Sequence, residues 1–136
     1  MLKVLKIVLE GEVIPSKKNS KNLIYSKRHN RAFILSSGKY LTWESIQVKK
    51  VAVWAQNMAK THGIKFPLQR ASCKIIFYWG NRRRLDNTNK AESIHDMLIK
   101  AKVITDDRWQ VLNPTSQESK PCITTPRCEI YLSNFD

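Results

Sequence analysis

Several features are scarce in this sequence, and each scarcity excludes a class of protein. The chain contains no apolar run of the roughly 18 residues that a membrane-spanning helix needs. It does not open with the charged, apolar and small-residue regions of a secretory signal peptide. We therefore expect a soluble protein of the cytoplasm.

The sequence contains few cysteines, and their spacing forms no paired motif. The three cysteines, Cys73, Cys122 and Cys128, are odd in number and form no C-x-x-C pair. This spacing supports neither a disulfide framework nor a zinc knuckle. We expect reduced thiols, most of them buried.

Acidic residues are nearly absent from the first part of the chain. Between Val13 and Leu85 the only acid is Glu44, while the same stretch carries sixteen Lys and Arg residues. The whole chain of 136 residues has a formal net charge of +13. A field of this sign attracts polyanions, and nucleic acid is the partner it favours.

The acids that are present concentrate just after the run Arg82, Arg83 and Arg84. Five of the eleven fall within 22 consecutive residues: Asp86, Glu92, Asp96, Asp106 and Asp107. A nuclease needs this separation, because phosphate is held by Lys and Arg whereas a hydrolytic cation is held by carboxylates. The alternative from charge distribution alone is a solvated helix face with ordinary ion pairs.

The chain is long enough for one domain, 1–136, with a hydrophobic core. Residue patterns predict a strand over 3–14, a short hairpin formed by 23–25 and 32–35, a central strand over 72–79 and a last strand over 128–132. Two amphipathic helices are predicted over 39–60, ending at Gly63, and over 86–101. Residues 103–104 and 109–112 flank a turn at Asp106 and Asp107. The expected class is α+β, with a small mixed sheet of four to five strands and two main helices.

Tryptophan and histidine receive no functional role at this point. Trp43, Trp54, Trp79 and Trp109 could stack on unpaired bases, but tryptophans in periodic apolar segments normally lie in the core, where we place them. The histidines show no metal-ligand spacing, and His95 is treated as incidental.

The most informative stretch is a strand exit that turns into a helix start, at residues 81–90 (NRRRLDNTNK). It is followed about one helix later by residues 104–109 (ITDDRW), and then by residues 126–130 (PRCEI). Residues 14–19 (IPSKKN) form a looser match near the start. Together these segments resemble the signature of the RusA family of Holliday-junction resolvases, in which a basic run meets D-x-D-N, a lysine follows and an Asp-Asp pair comes after the helix.

This resemblance implies a homodimeric, Mg²⁺-dependent endonuclease that nicks four-way DNA junctions, with Mn²⁺ as a possible substitute, encoded by a bacterium or a phage and acting in the host cytoplasm. It implies that Asp86, Lys90 and Asp107 are catalytic and that Asp86, Asp106 and Asp107 bind the metal. The chain departs from the pattern at Arg84, where the family has the first Asp. The basic residues expected to contact DNA are Lys17, Lys18, Lys21, Arg28, Arg82, Arg83 and Arg84.

Elementary physical chemistry supports these roles independently. On a helix that begins near Asp86, Lys90 lies one turn on and on the same side. An ammonium there would stabilise the negative charge that develops when water attacks phosphorus. Neighbouring arginines are expected to stabilise the charge of Asp86 and Asp107.

Simpler interpretations remain for each element. Asp86 or Asn87 alone could cap a helix, and Asp106 with Asp107 could be an ordinary turn. The main functional alternative is a non-catalytic protein that binds branched DNA and has lost part of the metal site at Arg84. An RNA-binding or ribosome-associated protein would explain the charge, but not the acids after the arginine run.

Overall fold

The computed structural model describes residues 2–11, 21–26, 31–36, 38–80, 87–122 and 124–136, with only the backbone described over 21–26, 31–36 and 87–89. In chain order the elements are β1 (Val4–Glu10), β2 (Lys21–Ser26), β3 (Arg31–Ser36), α1 (Gly38–His62), β4 (Ala71–Trp79), α2 (Asn87–Lys100), β5 (Leu112–Pro121) and β6 (Arg127–Ser133). The predicted α+β class, with a mixed sheet and two helices, is confirmed.

The main sheet has four strands in the order β1-β6-β4-β5. The β1–β6 and β6–β4 pairs are antiparallel, whereas β4 and β5 are parallel. A parallel pair requires a crossover connection, and α2 supplies it between β4 and β5. The predicted hairpin is confirmed as the separate antiparallel pair β2–β3.

One face of the sheet carries the hydrophobic core. Leu5, Ile7 and Leu9 alternate along β1 and are buried, as the period of two along a strand requires. They pack in the same cluster as Val51 of α1 and Ile94 of α2. The position of both helices is therefore set by this buried face.

The predicted end of the first helix is confirmed at Gly63. Its φ of 66° is the left-handed conformation that glycine adopts at low cost. Its N–H donates to the Ala59 carbonyl oxygen at 2.9 Å, which satisfies one of the free carbonyls at the helix end.

The sequence analysis assigned no strand over 113–121, and this was wrong, because β5 continues to Pro121. Of the β5 residues only Leu112 is buried, so the strand lacks the apolar alternation that would have predicted it. Its place at the sheet edge, paired only with β4, also tolerates Pro114 and Pro121.

The core placement of the tryptophans holds for three of the four. Trp79 is buried, and Trp43 and Trp54 are partly buried against the core. The core placement of Trp109 is wrong, because 72% of its surface is exposed. All three cysteines are free, with Cys73 and Cys128 buried and Cys122 intermediate. Among the described helices, none has the length and apolar character needed to cross a membrane.

Candidate active site

The second helix presents a polar side next to its buried stripe. Ala91, Ile94 and Leu98 are buried, as their spacing predicted. His95 and Asp96 lie between them along the helix and are only partly buried. Successive residues are about 100° apart around the helix axis. The side chains of His95 and Asp96 therefore project from the side of the helix next to its buried face.

The chain after α2 is anchored to that helix and to Leu68, which precedes β4, before it reaches the two aspartates. The Val103 N–H donates to the Leu98 carbonyl at 3.0 Å, and the Thr105 N–H donates to the Leu68 carbonyl at 3.2 Å. Ile104 also forms a parallel bridge with Leu68. These bonds fix the point from which the segment with Asp106 and Asp107 leaves the core.

Asp106 and Asp107 lie in an irregular segment. The hydrogen-bonded turn follows them, where the Val111 and Leu112 N–H groups both donate to the Arg108 carbonyl at 2.9 Å. The prediction of a turn at the two aspartates is therefore wrong, because the turn lies further along the chain. The Asp107 N–H donates to Asp106 Oδ1 at 2.7 Å, and Arg108 Nε lies 3.7 Å from Asp106 Oδ2, so the arginine beside the two aspartates pairs with Asp106.

Asp107 lies among groups of its own charge. Partial burial raises its pKa most, followed by the interaction with the Asp106 carboxyl; the negative charge of Asp96 raises it further, while His95 acts in the opposite direction. From the sequence, neighbouring arginines are expected to stabilise this charge. Among the described residues the pKa shift is upward instead, because partial burial and then the Asp106 carboxyl outweigh the opposing effect of His95.

His95 is a site residue that the sequence analysis missed. Burial lowers its pKa, against the raising effect of Asp107, Asp96 and Glu92. Its Nε2 is buried and has no hydrogen-bond partner among the described residues. A buried polar atom normally has a protein or water partner, so His95 marks this place as unusual. The one available sequence signal was its position inside the acid-rich stretch.

Lys90 lies at the start of α2 and is partly buried. Burial, and then the neighbouring charge of Lys39, lower its pKa. Lys39 belongs to the first turn of α1, so its charge acts on Lys90 from a different helix. Lys90 precedes His95 by five residues, which is about 7.5 Å along the helix axis.

A buried polar network holds the two helices together. The Tyr40 hydroxyl donates to Glu44 Oε2 at 2.5 Å, and Lys100 Nζ donates to Glu44 Oε1. Glu44 is only 4% exposed, so it needs both partners. Asp96 is close enough for its charge to contribute to the raised pKa of Tyr40. The single acid of the basic half is thus structural and ties α1 to the helix that carries the candidate site.

Most of the other predicted site residues lie outside the described residues. These are Lys17, Lys18, Arg28, Arg82, Arg83, Arg84 and Asp86. Lys21 is the first residue of β2, where only the backbone is described. Among the residues that are described, no three His, Cys, Asp or Glu side chains form a group that could hold a metal ion. Asp106 and Asp107 are brought together, and the position of Asp86 relative to them stays a prediction.

Comparison with models of known protein families and with curated protein sequences finds no match to this chain.

Proposed function

We propose that this protein is a Mg²⁺-dependent endodeoxyribonuclease that resolves four-way DNA junctions. The observation that carries the proposal is the surroundings of Asp107, whose pKa is raised by burial and by the carboxyl groups of Asp106 and Asp96. Carboxylates that lie close to one another repel, and a bound cation or a proton relieves that repulsion.

The carboxylate oxygens of Asp106 and Asp107 fit part of a magnesium site. Mg²⁺ prefers oxygen ligands, takes few protein carboxylates and keeps several waters. Asp106 and Asp107 offer adjacent carboxylates, and Asp86 is proposed to complete the set. Mg²⁺ held there would activate a water and polarise the scissile phosphate.

Lys90 and Lys39 supply the complementary charge. Two neighbouring ammonium groups would attract a phosphate of the DNA backbone, and Lys90, which belongs to the same helix as His95 and Asp96, would stabilise charge that develops on its oxygens. The proposal also includes the arginine run and the basic residues of the first half as the DNA-binding surface. A homodimer in the cytoplasm is part of it, because two symmetric cuts are simplest with two symmetric sites.

The alternative is a non-catalytic protein that binds branched DNA. It is favoured by Arg84, which replaces a carboxylate with a cation in the motif, and by the lack of a three-donor metal group among the described residues. Loss of a carboxylate from this region would weaken metal binding and strengthen attraction to phosphate.

A cleavage assay on a labelled four-way junction with Mg²⁺ or Mn²⁺ tests the proposal. We expect the wild-type protein to nick the junction and Asp107→Asn and Asp86→Asn to reduce cleavage by about a hundredfold or more, with binding unchanged or slightly tighter, because each removes a ligand charge from a cationic surface. Lys90→Ala should reduce turnover while leaving metal dependence in place.

Glu118→Gln is the matched control, since Glu118 is a partly exposed acid of β5 that pairs with Lys74 at 3.2 Å. It should cleave like the wild type. A wild-type protein that binds the junction but does not cut it supports the non-catalytic alternative. Normal cleavage by both aspartate variants would place the active site elsewhere.

A further inference from the structure

Trp109 occupies a position that packing does not explain. Its ring is 72% exposed, in contrast to the 9% exposure of Trp79. A large aromatic side chain left in water gains nothing from burial, and such residues are enriched where a partner binds. The exposed ring is therefore available to stack against a ligand.

The backbone that carries Trp109 is held firmly. The Val111 and Leu112 N–H groups both donate to the Arg108 carbonyl at 2.9 Å, and the Ala71 N–H donates to the Val111 carbonyl at 2.8 Å. These bonds tie the turn to the start of β4. The backbone that carries the ring is therefore fixed before a ligand binds, which lowers the entropy cost of binding.

Trp109 forms one wall of a surface pocket of about 420 Å³. Its polar lining comes from Arg70, Gln110, Asn113 and Asn134. The Asn134 amide donates to Ser72 Oγ at 3.2 Å, and the Ser72 hydroxyl donates to the Asn113 carbonyl at 3.4 Å. No carboxylate contributes to the lining in the described part of the chain, and Arg70 is its charged group.

This combination of groups matches the chemistry of a nucleotide. An aromatic face stacks on a base of any sequence, and amide side chains can hydrogen-bond to base edges. A guanidinium pairs with phosphate. The pocket also falls in the size range of small-molecule sites.

One lining residue of the pocket, Trp109, lies near Asp107 of the candidate active site. Trp109 follows Asp107 by two residues, so their Cα atoms are at most about 7 Å apart. We infer that this pocket binds an unpaired nucleobase at a DNA branch point, stacked on Trp109. The sugar-phosphate backbone next to that base would then lie near Asp107. The inference rests on the proposed function and adds to it a site for the displaced base.

The test uses a four-way junction with one unpaired 2-aminopurine at the branch point, and the same junction fully paired. Wild-type protein should quench the 2-aminopurine fluorescence on binding. Trp109→Ala should abolish the quenching and weaken binding of the unpaired junction by about fivefold to a hundredfold, which is the usual range for loss of a base–aromatic stack. Trp109→Phe should retain most of both effects.

Trp54→Phe is the matched control, because Trp54 packs against Phe66 with ring centroids 5.9 Å apart and lies away from the pocket lining. It should quench like the wild type. Thermal melting should show that Trp109→Ala remains folded, as expected for so exposed a residue. Equal affinity and equal quenching for wild type and Trp109→Ala would overturn the inference.

Two further arms separate the inference from the proposed function. If free deoxyadenosine monophosphate quenches the fluorescence of Trp109 while no branched DNA binds, the pocket takes a free nucleotide. That result would overturn both the inference that the base comes from DNA and the proposed function. If Trp109→Ala changes only the sedimentation coefficient and no DNA readout, the ring contacts a second protein chain and the inference fails. Junction cleavage by the wild type with no effect of Trp109→Ala overturns the inference alone.

Discussion

Two carboxylates of this protein, Glu129 and Asp107, lie in opposite electrostatic surroundings. Glu129 of β6 is 5% exposed and accepts hydrogen bonds from the Tyr131 hydroxyl at 2.6 Å and from Arg127 Nε at 2.8 Å. Lys6 Nζ lies 3.7 Å away. The hydrogen bond from Tyr131, followed by the one from Arg127, lowers the pKa of Glu129.

Asp107 has the opposite balance. Its side chain lies in an exposed irregular segment, and partial burial, followed by Asp106 and Asp96, raises its pKa. The fold therefore stabilises the charge of Glu129 and disfavours the charge of Asp107. A carboxylate whose charge is already satisfied serves structure, whereas one crowded by like charge is available to an external cation.

The largest expected effect is on the stability of the sheet. Glu129→Ala should lower the free energy of unfolding by about 2 kcal/mol, because it leaves the partly buried Tyr131 hydroxyl and the Arg127 guanidinium without their acceptor. Urea denaturation followed by circular dichroism measures this. Glu118→Ala is the control on the same sheet, and it should change stability by less than about 0.5 kcal/mol because its ion pairs are exposed. An equal loss in both variants would contradict the structural role of Glu129.

The second prediction concerns the sign of the pH dependence. Since the pKa of Glu129 is lowered by folding, its contribution is fully present above the unfolded-chain value of about 4.3 and is lost as pH falls through the folded value. The stability gap between wild type and Glu129→Gln should therefore shrink from pH 7 towards pH 3.

For Asp107 the sign is reversed. Its raised pKa means that the folded state binds the proton more tightly, so ionisation costs stability as pH rises from about 3.9 through the folded value. The stability gap between wild type and Asp107→Asn should be largest at neutral pH, with the variant the more stable protein. A gap that is constant with pH for both residues would remove the contrast between them.

The smallest effect is expected from the cation. At pH 7 without divalent ions, Asp107→Asn should be more stable than wild type by a few tenths of a kcal/mol, because the site is exposed and screened by solvent. Adding Mg²⁺ should raise the melting temperature of the wild type and leave that of the variant unchanged. Differential scanning fluorimetry with and without Mg²⁺, with Asp136→Asn as the control, measures both. An identical Mg²⁺ response in wild type and Asp107→Asn would show that Asp107 does not bind the ion.

The two central helices and the hairpin could be predicted from sequence because their signals are local. The apolar spacing of Ala91, Ile94 and Leu98 defines a helix face whatever the face packs against. Gly63 ends α1 because of its own backbone freedom. The excess of positive charge and the adjacency of Asp106 and Asp107 are likewise properties of composition and of a short segment.

Tertiary structure alone decided what depends on distant neighbours. The polar strand β5 exists because β4 offers it an edge to pair with. The segment that carries the exposed Trp109 is tied to Ala71, 38 positions earlier in the chain. His95 and Asp96 join Asp107 only when the chain after α2 returns along Leu68. Burial and electrostatic surroundings are sums over residues that are remote in sequence, so a local pattern determines which helix or strand forms but not which charges it meets.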